Sequence, residues 1–394
     1  MPLARTVPLH RVEAPVPGPP RLIELPNGTP VWLVTRYDDV HQVLTDPRFG
    51  RSPVHAPDAP PVVDGPSLLD SRDSMGRQDG DAHLRLRRAV GRAFTPRAVE
   101  HMRPWVAGVV DQLLDGFVEQ GPPADLVTDY ALPLPCMVIH RLLAVDDVPT
   151  ERLLRWAEHA FAGATAAPEE GECARRELAD FATALITARR SKPGDDLVSS
   201  VVRATGREGG IPEAMLVNLI STMIVGGHDT TMTMLSNSLL YLLTEQPGAW
   251  ARLGADEQAA EALTERLLHL IPLGDREERP GHVLAATADI LLSGVMIRTG
   301  DLVTTDHVAA NRDPAAFPGN PHDDLFAPLP KPSLAFGAGR HYCLGTWLAR
   351  AELQLALHRL ADRLPALRLT ITADDIRWRH GTVTRSPLHL PAAW

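Results

Sequence analysis

Cys343 is the residue of this chain best placed to do chemistry. It stands in Phe336-Gly337-Ala338-Gly339-Arg340-His341-Tyr342-Cys343-Leu344-Gly345, just ahead of an amphipathic segment that begins Thr346-Trp347-Leu348-Ala349-Arg350-Ala351-Glu352. A cysteine at a helix start faces unpaired backbone N–H groups and the positive end of the helix dipole. Both favour the thiolate, the form that ligates metals and attacks electrophiles. Gly337 and Gly339 let the backbone turn tightly and approach a flat ligand, and Gly345 leaves room beneath it. Three plainer readings compete. A lone cysteine is usually a small buried hydrophobe. A zinc site needs partner ligands at short spacing, and none flank Cys343. A phosphate-cradling loop needs a preceding strand and a fuller glycine pattern.

A second unusual stretch is Gly226-Gly227-His228-Asp229-Thr230-Thr231, inside a helix expected over residues 212–246. Pro212 suits a first helical turn and Pro247 blocks continuation. At 1.5 Å per residue this helix is roughly 50 Å long, enough to cross the molecule. Each glycine costs about 1 kcal/mol against alanine in a helix interior. Two adjacent ones imply that something approaches the backbone closely, either a neighbouring helix or a ligand.

The remaining elements must position these two stretches. The chain has 394 residues, 44% apolar and 22% charged, an ordinary globular balance with material for a large core. A net charge of -10 and a pI near 5.9 argue against nucleic-acid binding, which wants a basic excess. The three cysteines, Cys136, Cys173 and Cys343, are too few and too irregular for a disulfide framework and suit a reducing compartment. The proline-rich N-terminus lacks the apolar core of a signal peptide, and no apolar run reaches the ~18 residues of a membrane span. The expectation is a cytoplasmic protein bound to neither membrane nor nucleic acid. Apolar periodicity predicts helices at 82–94, 99–119, 151–160 and 175–190, and strands at 31–35, 289–297 and 367–372. Residues 51–80 read as a long irregular loop of the kind that often forms a lid. The fold class is mainly α: a single domain over 21–394 with small peripheral β-sheets and a long central helix, preceded by a loosely held segment 1–20.

The cysteine segment resembles the haem-ligand signature of cytochromes P-450, F-G-x-G-x-H-x-C-x-G, at every fixed position. The similarity runs through nearly the whole chain beyond the N-terminal segment. Residues 289–297 and Ala310-Asn311-Arg312-Asp313-Pro314 resemble the strand and loop before the haem segment, and Asp79-Gly80-Asp81-Ala82-His83-Leu84-Arg85-Leu86-Arg87-Arg88 resembles the helix beside the haem propionates. The resemblance implies a cytochrome P-450 fold holding haem b, with Cys343 as axial thiolate donating the electron density that favours O–O cleavage. It also implies that His341, and His83 and Arg87 four residues apart, meet the propionates, while Phe336, Gly337, Gly339 and Gly345 shape the loop. The Gly226–Thr231 stretch is similar to the family's oxygen-activation motif. Gly226, with Gly227 beside it, would leave space for dioxygen, Thr230 would hydrogen-bond it, and Asp229 would feed protons. Arg85, Arg88, Arg92 and Arg340 would form a basic patch for an acidic, ferredoxin-type electron donor.

The activity so implied is a monooxygenase that takes electrons from a separate ferredoxin and reductase. Its substrate would be a hydrophobic, natural-product-like small molecule, with residues 51–80 and 150–190 lining or covering the pocket. Two alternatives stand beside it: a peroxide-using or coupling haem enzyme, and a haem-free auxiliary homologue that supports a glycosyltransferase. Asp229 and Thr230 weigh against the first, and the intact cysteine segment weighs against the second. The sequence also departs from the family's glutamate–x–x–arginine lock. Aligned on its Leu-Leu pair and proline, Thr264-Glu265-Arg266-Leu267-Leu268-His269-Leu270-Ile271-Pro272 puts Arg266 at the glutamate and His269 at the arginine. Shifting the register to Glu265 and Leu268 keeps the acid but breaks the downstream match. Ala327 takes the place of the loop arginine, and Leu284 that of a propionate-binding arginine. Either the lock is reversed, Arg266 pairing with Asp323 or Asp324, or Arg266 is solvated and packing alone holds the loop.

Overall fold

Helical periodicity governs the chain from residue 80 onward. The computed structural model describes residues 8–25, 27–56, 59, 62, 71–145, 148–160, 168–207, 210–274, 282–379 and 384–394. Within them lie the helices α1 (Tyr37–Thr45), α2 (Gly80–Gly91), α3 (Pro96–Gln120), α4 (Pro133–Leu143), α5 (Thr150–Ala160), α6 (Pro168–Ser191), α7 (Leu197–Arg207), α8 (Glu213–Glu245), α9 (Pro247–Ala255), α10 (Ala259–Leu270), α11 (His307–Asn311) and α12 (Thr346–Arg363). The strands are β1 (Arg21–Glu24), β2 (Pro30–Val34), β3 (Phe49–Gly50), β4 (Ala124–Asp125), β5 (Val283–Ala286), β6 (Ile290–Leu292), β7 (Val295–Ile297), β8 (Leu302–Thr305), β9 (Arg368–Leu369) and β10 (Pro391–Ala393).

The 33 residues of α8 contain no proline and carry leucine, methionine and isoleucine all round, so most of the helix is buried. Pro212 sits just outside it as the N-cap residue, and Pro247 opens α9. Around the C-terminal half of α8 packs the main core, with Val106 and Leu114 of α3, Leu263 of α10, and Leu353 and Leu357 of α12. Its N-terminal half packs with α2, α4, α5, α6 and α7 in a second cluster that includes Leu86, Ile139, Trp156, Leu178 and Val198. The sheet β4-β10-β9 packs into the main core through Ala124, Leu369 and Ala392, while the five-stranded sheet packs in clusters of its own with α1. The five-stranded sheet has the order β1-β2-β8-β5-β3, in which only β2 and β8 run parallel, and the others are β4-β10-β9 and the pair β6-β7.

Several elements differ from expectation. The strand expected at 289–297 is a hairpin of β6 and β7, because Ser293 and Gly294 both take positive φ, 44° and 85°. A two-residue turn of that kind matches the twist of the flanking strands. The segment 367–372 shrinks to the two residues of β9. The helix expected at 82–94 closes as a 3-10 turn over Arg92–Phe94, and that at 175–190 begins at Pro168. The N-terminal segment is not loose where it is described: Leu9 and Val12 belong to the main core, His10 Nε2 meets Glu245 at 2.6 Å, and Arg312 donates to the carbonyl of His10 at 3.2 Å. Residues 1–7, much of the loop assigned as a lid (57–58, 60–61 and 63–70) and 161–167 of the other pocket-covering stretch lie outside the described residues. Among the described residues no helix is long and apolar enough to cross a membrane.

Candidate active site

The cysteine loop is folded tightly by its own backbone. Gly337 and Gly339 take φ of 71° and 68°, a region that glycine enters freely. At Gly339 a Cβ would run into the carbonyl of Leu44 at the end of α1, so the loop is pressed against that helix. The N–H of Cys343 donates to the carbonyl of Phe336 at 3.0 Å, and α12 starts at Thr346 with Gly345 as its N-cap residue. Cys343 keeps accessible surface, yet protein surrounds it closely enough for burial to be the largest influence on its thiol, pushing it up. The N–H of Gly345 and the charges of Arg87 and Arg350 act in the opposite direction. The helix start therefore favours the thiolate as expected, but burial outweighs it.

Part of α8 supplies a wall. Between residues 221 and 230 only Thr222, Met223, Gly226, Gly227 and Thr230 keep accessible surface, a stripe at three- and four-residue spacing along one face. Leu344, next to the cysteine, packs in the cluster that holds Met223, Ile224 and Val225, which brings the loop to this stretch. Thr230 donates its hydroxyl to the carbonyl of Gly226 at 3.0 Å, and Thr231 to that of Gly227 at 3.2 Å. At Gly227 a Cβ would collide with the side chain of Ile139 on α4, so its smallness is taken up by helix packing. Asp229 is turned away from the stripe. It is 2% exposed, with Oδ1 2.5 Å from Arg379 Nη2 and Oδ2 accepting from the Thr384 hydroxyl at 2.6 Å.

A cationic cluster forms another side. His83 on α2 is 2% exposed, its ring centroid 4.3 Å from that of His341, and its Nδ1 has no hydrogen-bond partner. Burial, reinforced by His341 and the arginines nearby, lowers its pKa to about 4. His341 Nε2 lies 3.4 Å from Asp79 Oδ1. Asp79 Oδ2 accepts from the N–H groups of Arg51 and Ser52, both at 2.8 Å, and from the Ser52 hydroxyl. Burial opposes the Asp79 charge, but these hydrogen bonds prevail and hold the carboxyl below its ordinary range. Arg87 is half-buried, has no carboxylate in ion-pair range among the described residues, and carries its charge near Cys343.

Behind the loop, the Arg350 guanidinium lies 4.6 Å above the Phe336 ring. Arg266 matches neither form expected of it. It is 7% exposed, so it is not solvated, and among the described residues no carboxylate is within ion-pair range, so the lock is not reversed. Instead its Nη2 donates to the backbone carbonyl of Ala327 at 2.9 Å. His269, at 4% exposed, packs on Phe317 with ring centroids 4.3 Å apart.

The donor set suits a flat anionic group held through sulfur. Among the described residues it combines an accessible thiol, Arg87 without a carboxylate, an imidazole nitrogen of His83 without a partner, and open space where a Cβ on Gly345 would stand. Among the described residues no group of three or more His, Cys, Asp or Glu side chains could hold a bare metal ion. Comparison with known proteins points the same way. Residues 280–364 match the family model described as Cytochrome P450. The chain is 38% identical over 390 residues to nocardicin C N-oxygenase of Nocardia uniformis subsp. tsuyamanensis, covering 98% of this chain and 96% of that protein. It is 37% identical to mycinamicin IV hydroxylase/epoxidase of Micromonospora griseorubida, covering 94% and 91%. The structure of the LnmA cytochrome P450 hydroxylase from the leinamycin pathway of Streptomyces atroolivaceus superposes with a TM-score of 0.85 at 36% identity, covering 95% of this chain and 93% of that one. The chain belongs to the cytochrome P450 family and is a monooxygenase of that family.

Proposed function

We propose that this enzyme is a haem-dependent monooxygenase that inserts one oxygen atom from O2, by hydroxylation or epoxidation, into a hydrophobic, natural-product-like small molecule. The observation that carries the reading is the accessible Cys343 just before α12, with Leu344 packed in the cluster of Met223 and Val225 on α8 and the Arg87 charge near the thiol. Cys343 would ligate the iron, and His83, Arg87 and His341 would meet the carboxylates. Phe336, Gly337, Gly339 and Gly345 shape the loop beneath. Haem bound through thiolate supplies the activation of dioxygen. Gly226 would leave space for dioxygen and Thr230 would offer it a hydroxyl. Asp229, one residue before Thr230 but turned away from the stripe towards Arg379 and Thr384, would supply protons indirectly, through water or the Thr384 hydroxyl.

The names of the nocardicin C and mycinamicin IV enzymes support oxygen insertion into a small molecule of secondary metabolism. Residues 21–394 form a single catalytic domain, to which residues 9–12 are joined through the main core. Electrons come from a separate ferredoxin-type donor. Arg85, Arg88 and Arg92 are exposed on and just after α2, and Arg88 and Arg92 line, with Arg203 of α7, a cleft of 660 Å³ that suits an acidic partner.

The test is a reduced, carbon-monoxide-bound spectrum of the purified protein, then turnover of candidate substrates with NADPH and a surrogate ferredoxin and reductase. The red-shifted Soret band of thiolate ligation and NADPH-dependent product are expected. Porphyrin held through nitrogen, or product formed with peroxide but not with NADPH, would overturn the reading.

A further inference from the structure

Arg51 is a buried charge that the described residues leave largely unanswered. It is 7% exposed and sits at the start of the 3-10 turn Ser52–His55. Its Nη1 donates to the carbonyl of Gly76 at 3.2 Å, and its Nε is buried with no hydrogen-bond partner. Among the described residues no carboxylate lies within ion-pair range of its guanidinium, and an uncompensated buried charge is expensive. Asp79, the nearest acid, is already engaged. One of its oxygens takes the backbone N–H groups of Arg51 and Ser52, and the other faces His341. The backbone of Arg51 is thus joined to His341 through a single carboxylate, and the His341 ring lies 4.3 Å from that of His83.

The surroundings of Arg51 are otherwise cationic. Its charge helps to hold His83, His282 and His307 below the ordinary imidazole range; for His282 it is the largest influence, and for the others burial comes first. These imidazoles do not form a metal site among the described residues. An anion is the ligand such a cluster fits. Leu284, where the sequence lacks the arginine common among relatives, does not supply one. It is 3% exposed on β5 and packs among Val34, Val40 and Phe49.

We propose that Arg51 is a haem-carboxylate partner particular to this chain, its guanidinium pairing with a propionate beside His341 in place of the arginine that Leu284 replaces. The inference rests on the reading of Cys343 as haem ligand. The test compares wild type with Arg51→Leu and with Arg51→Gln, which keeps a donor but not the charge. Each protein is loaded with iron protoporphyrin IX or with its dimethyl ester, and the rate of porphyrin loss to a scavenging apoprotein is measured. The ratio of the two rates cancels any general loosening caused by the substitution. Wild type is expected to lose the ester about tenfold faster than the free acid or more, as befits loss of a charge-assisted bond, and both variants are expected to bring that ratio towards one. Adding Leu284→Arg to Arg51→Leu is expected to restore part of the preference. A wild-type ratio near one, or an unchanged ratio in either variant, overturns the assignment. Failure of the parent reading looks different: wild type then takes up no porphyrin, or its reduced carbon-monoxide complex lacks the thiolate band.

Discussion

Glu265 on α10 and Arg350 on α12 form a bidentate pair, Nε to Oε1 at 2.5 Å and Nη2 to Oε2 at 2.9 Å. The same guanidinium covers the Phe336 ring, donates to the Tyr342 hydroxyl at 3.3 Å and donates to the Thr346 hydroxyl. One side chain therefore ties α10 to both flanks of Cys343. The acid that does this is the one at the shifted register, one residue before the position where the family motif places its glutamate.

Glu265→Gln keeps the size of the side chain and removes its charge. Because Glu265 is about a third exposed, solvent already weakens the pair. The expected loss is roughly 1 kcal/mol of unfolding free energy, read from denaturant midpoints. Arg350→Lys is expected to cost more than its conserved charge suggests, since a lysine can neither bridge both oxygens nor lie flat on Phe336. Equal stability of Arg350→Lys and wild type would show that the pair does not hold the loop.

Arg266 contributes through the Ala327 carbonyl and not through an acid. Arg266→Met is expected to lower stability by about 1 to 3 kcal/mol, because the carbonyl loses its buried donor. Asp324 exerts only an electrostatic influence on Arg266, whose pKa burial lowers. In a double-mutant cycle, Asp324→Arg should therefore leave the effect of Arg266→Glu unchanged within about 0.5 kcal/mol. A coupling well above that would restore the reversed lock.

What the sequence disclosed was local. The cysteine loop is contiguous, so its glycines, its helix start and its likeness to the family motif could be read together, and α8 announced itself by length and bounding prolines. What it hid depends on contacts between distant segments. Asp229 and Arg379 stand 150 residues apart, Glu265 and Arg350 85 apart, and neither partner carries a local signal for the other. Whether Gly227 faces a ligand or a neighbouring helix depends on Ile139 of α4, a helix whose Pro133 and Pro135 disguise its periodicity. The hairpin at Ser293-Gly294 was missed because serine rarely accepts positive φ.

Gly339 and Gly345 should respond oppositely to alanine. Gly339→Ala meets both a positive φ and the Leu44 carbonyl, so the loop must shift. A loss of more than about 2 kcal/mol in stability, with loss of the thiolate band, is expected. Gly345 has φ of -81° and nothing within 4 Å of a built Cβ. Gly345→Ala should leave the unfolding free energy of the porphyrin-free chain within about 0.5 kcal/mol of wild type, while slowing porphyrin uptake. Uptake at the wild-type rate would remove Gly345 from the site.

Two buried histidines set an acid limit on stability. His228 and His269 are 1% and 4% exposed, and burial is the main cause that lowers each pKa to about 4. The unfolded chain takes up these protons near pH 6.5, before the folded chain does. The contribution of the neutral imidazoles is therefore complete above about pH 6.5 and is lost as pH falls towards 4, by at most roughly 3 kcal/mol for each histidine. Denaturant unfolding across that window should show stability falling with acid. His269→Leu should flatten the slope, and an unchanged slope would mean that His269 is not held neutral.

Asp229 tests whether the buried carboxylate moves protons or only braces the fold. Its two oxygens are held by Arg379 and Thr384, and Asp229→Asn preserves the shape while removing the proton-carrying group. Product formation driven by NADPH is expected to fall about 10²-fold, the lower range for a lost acid–base group, with the reduced carbon-monoxide spectrum unchanged. Arg379→Leu strands the same carboxylate in a buried setting, so its expected signature is a stability loss of about 3 kcal/mol or more. If Asp229 were purely a brace, Asp229→Asn would lose stability in step with activity, and full turnover in a stable Asp229→Asn enzyme would exclude it from proton delivery.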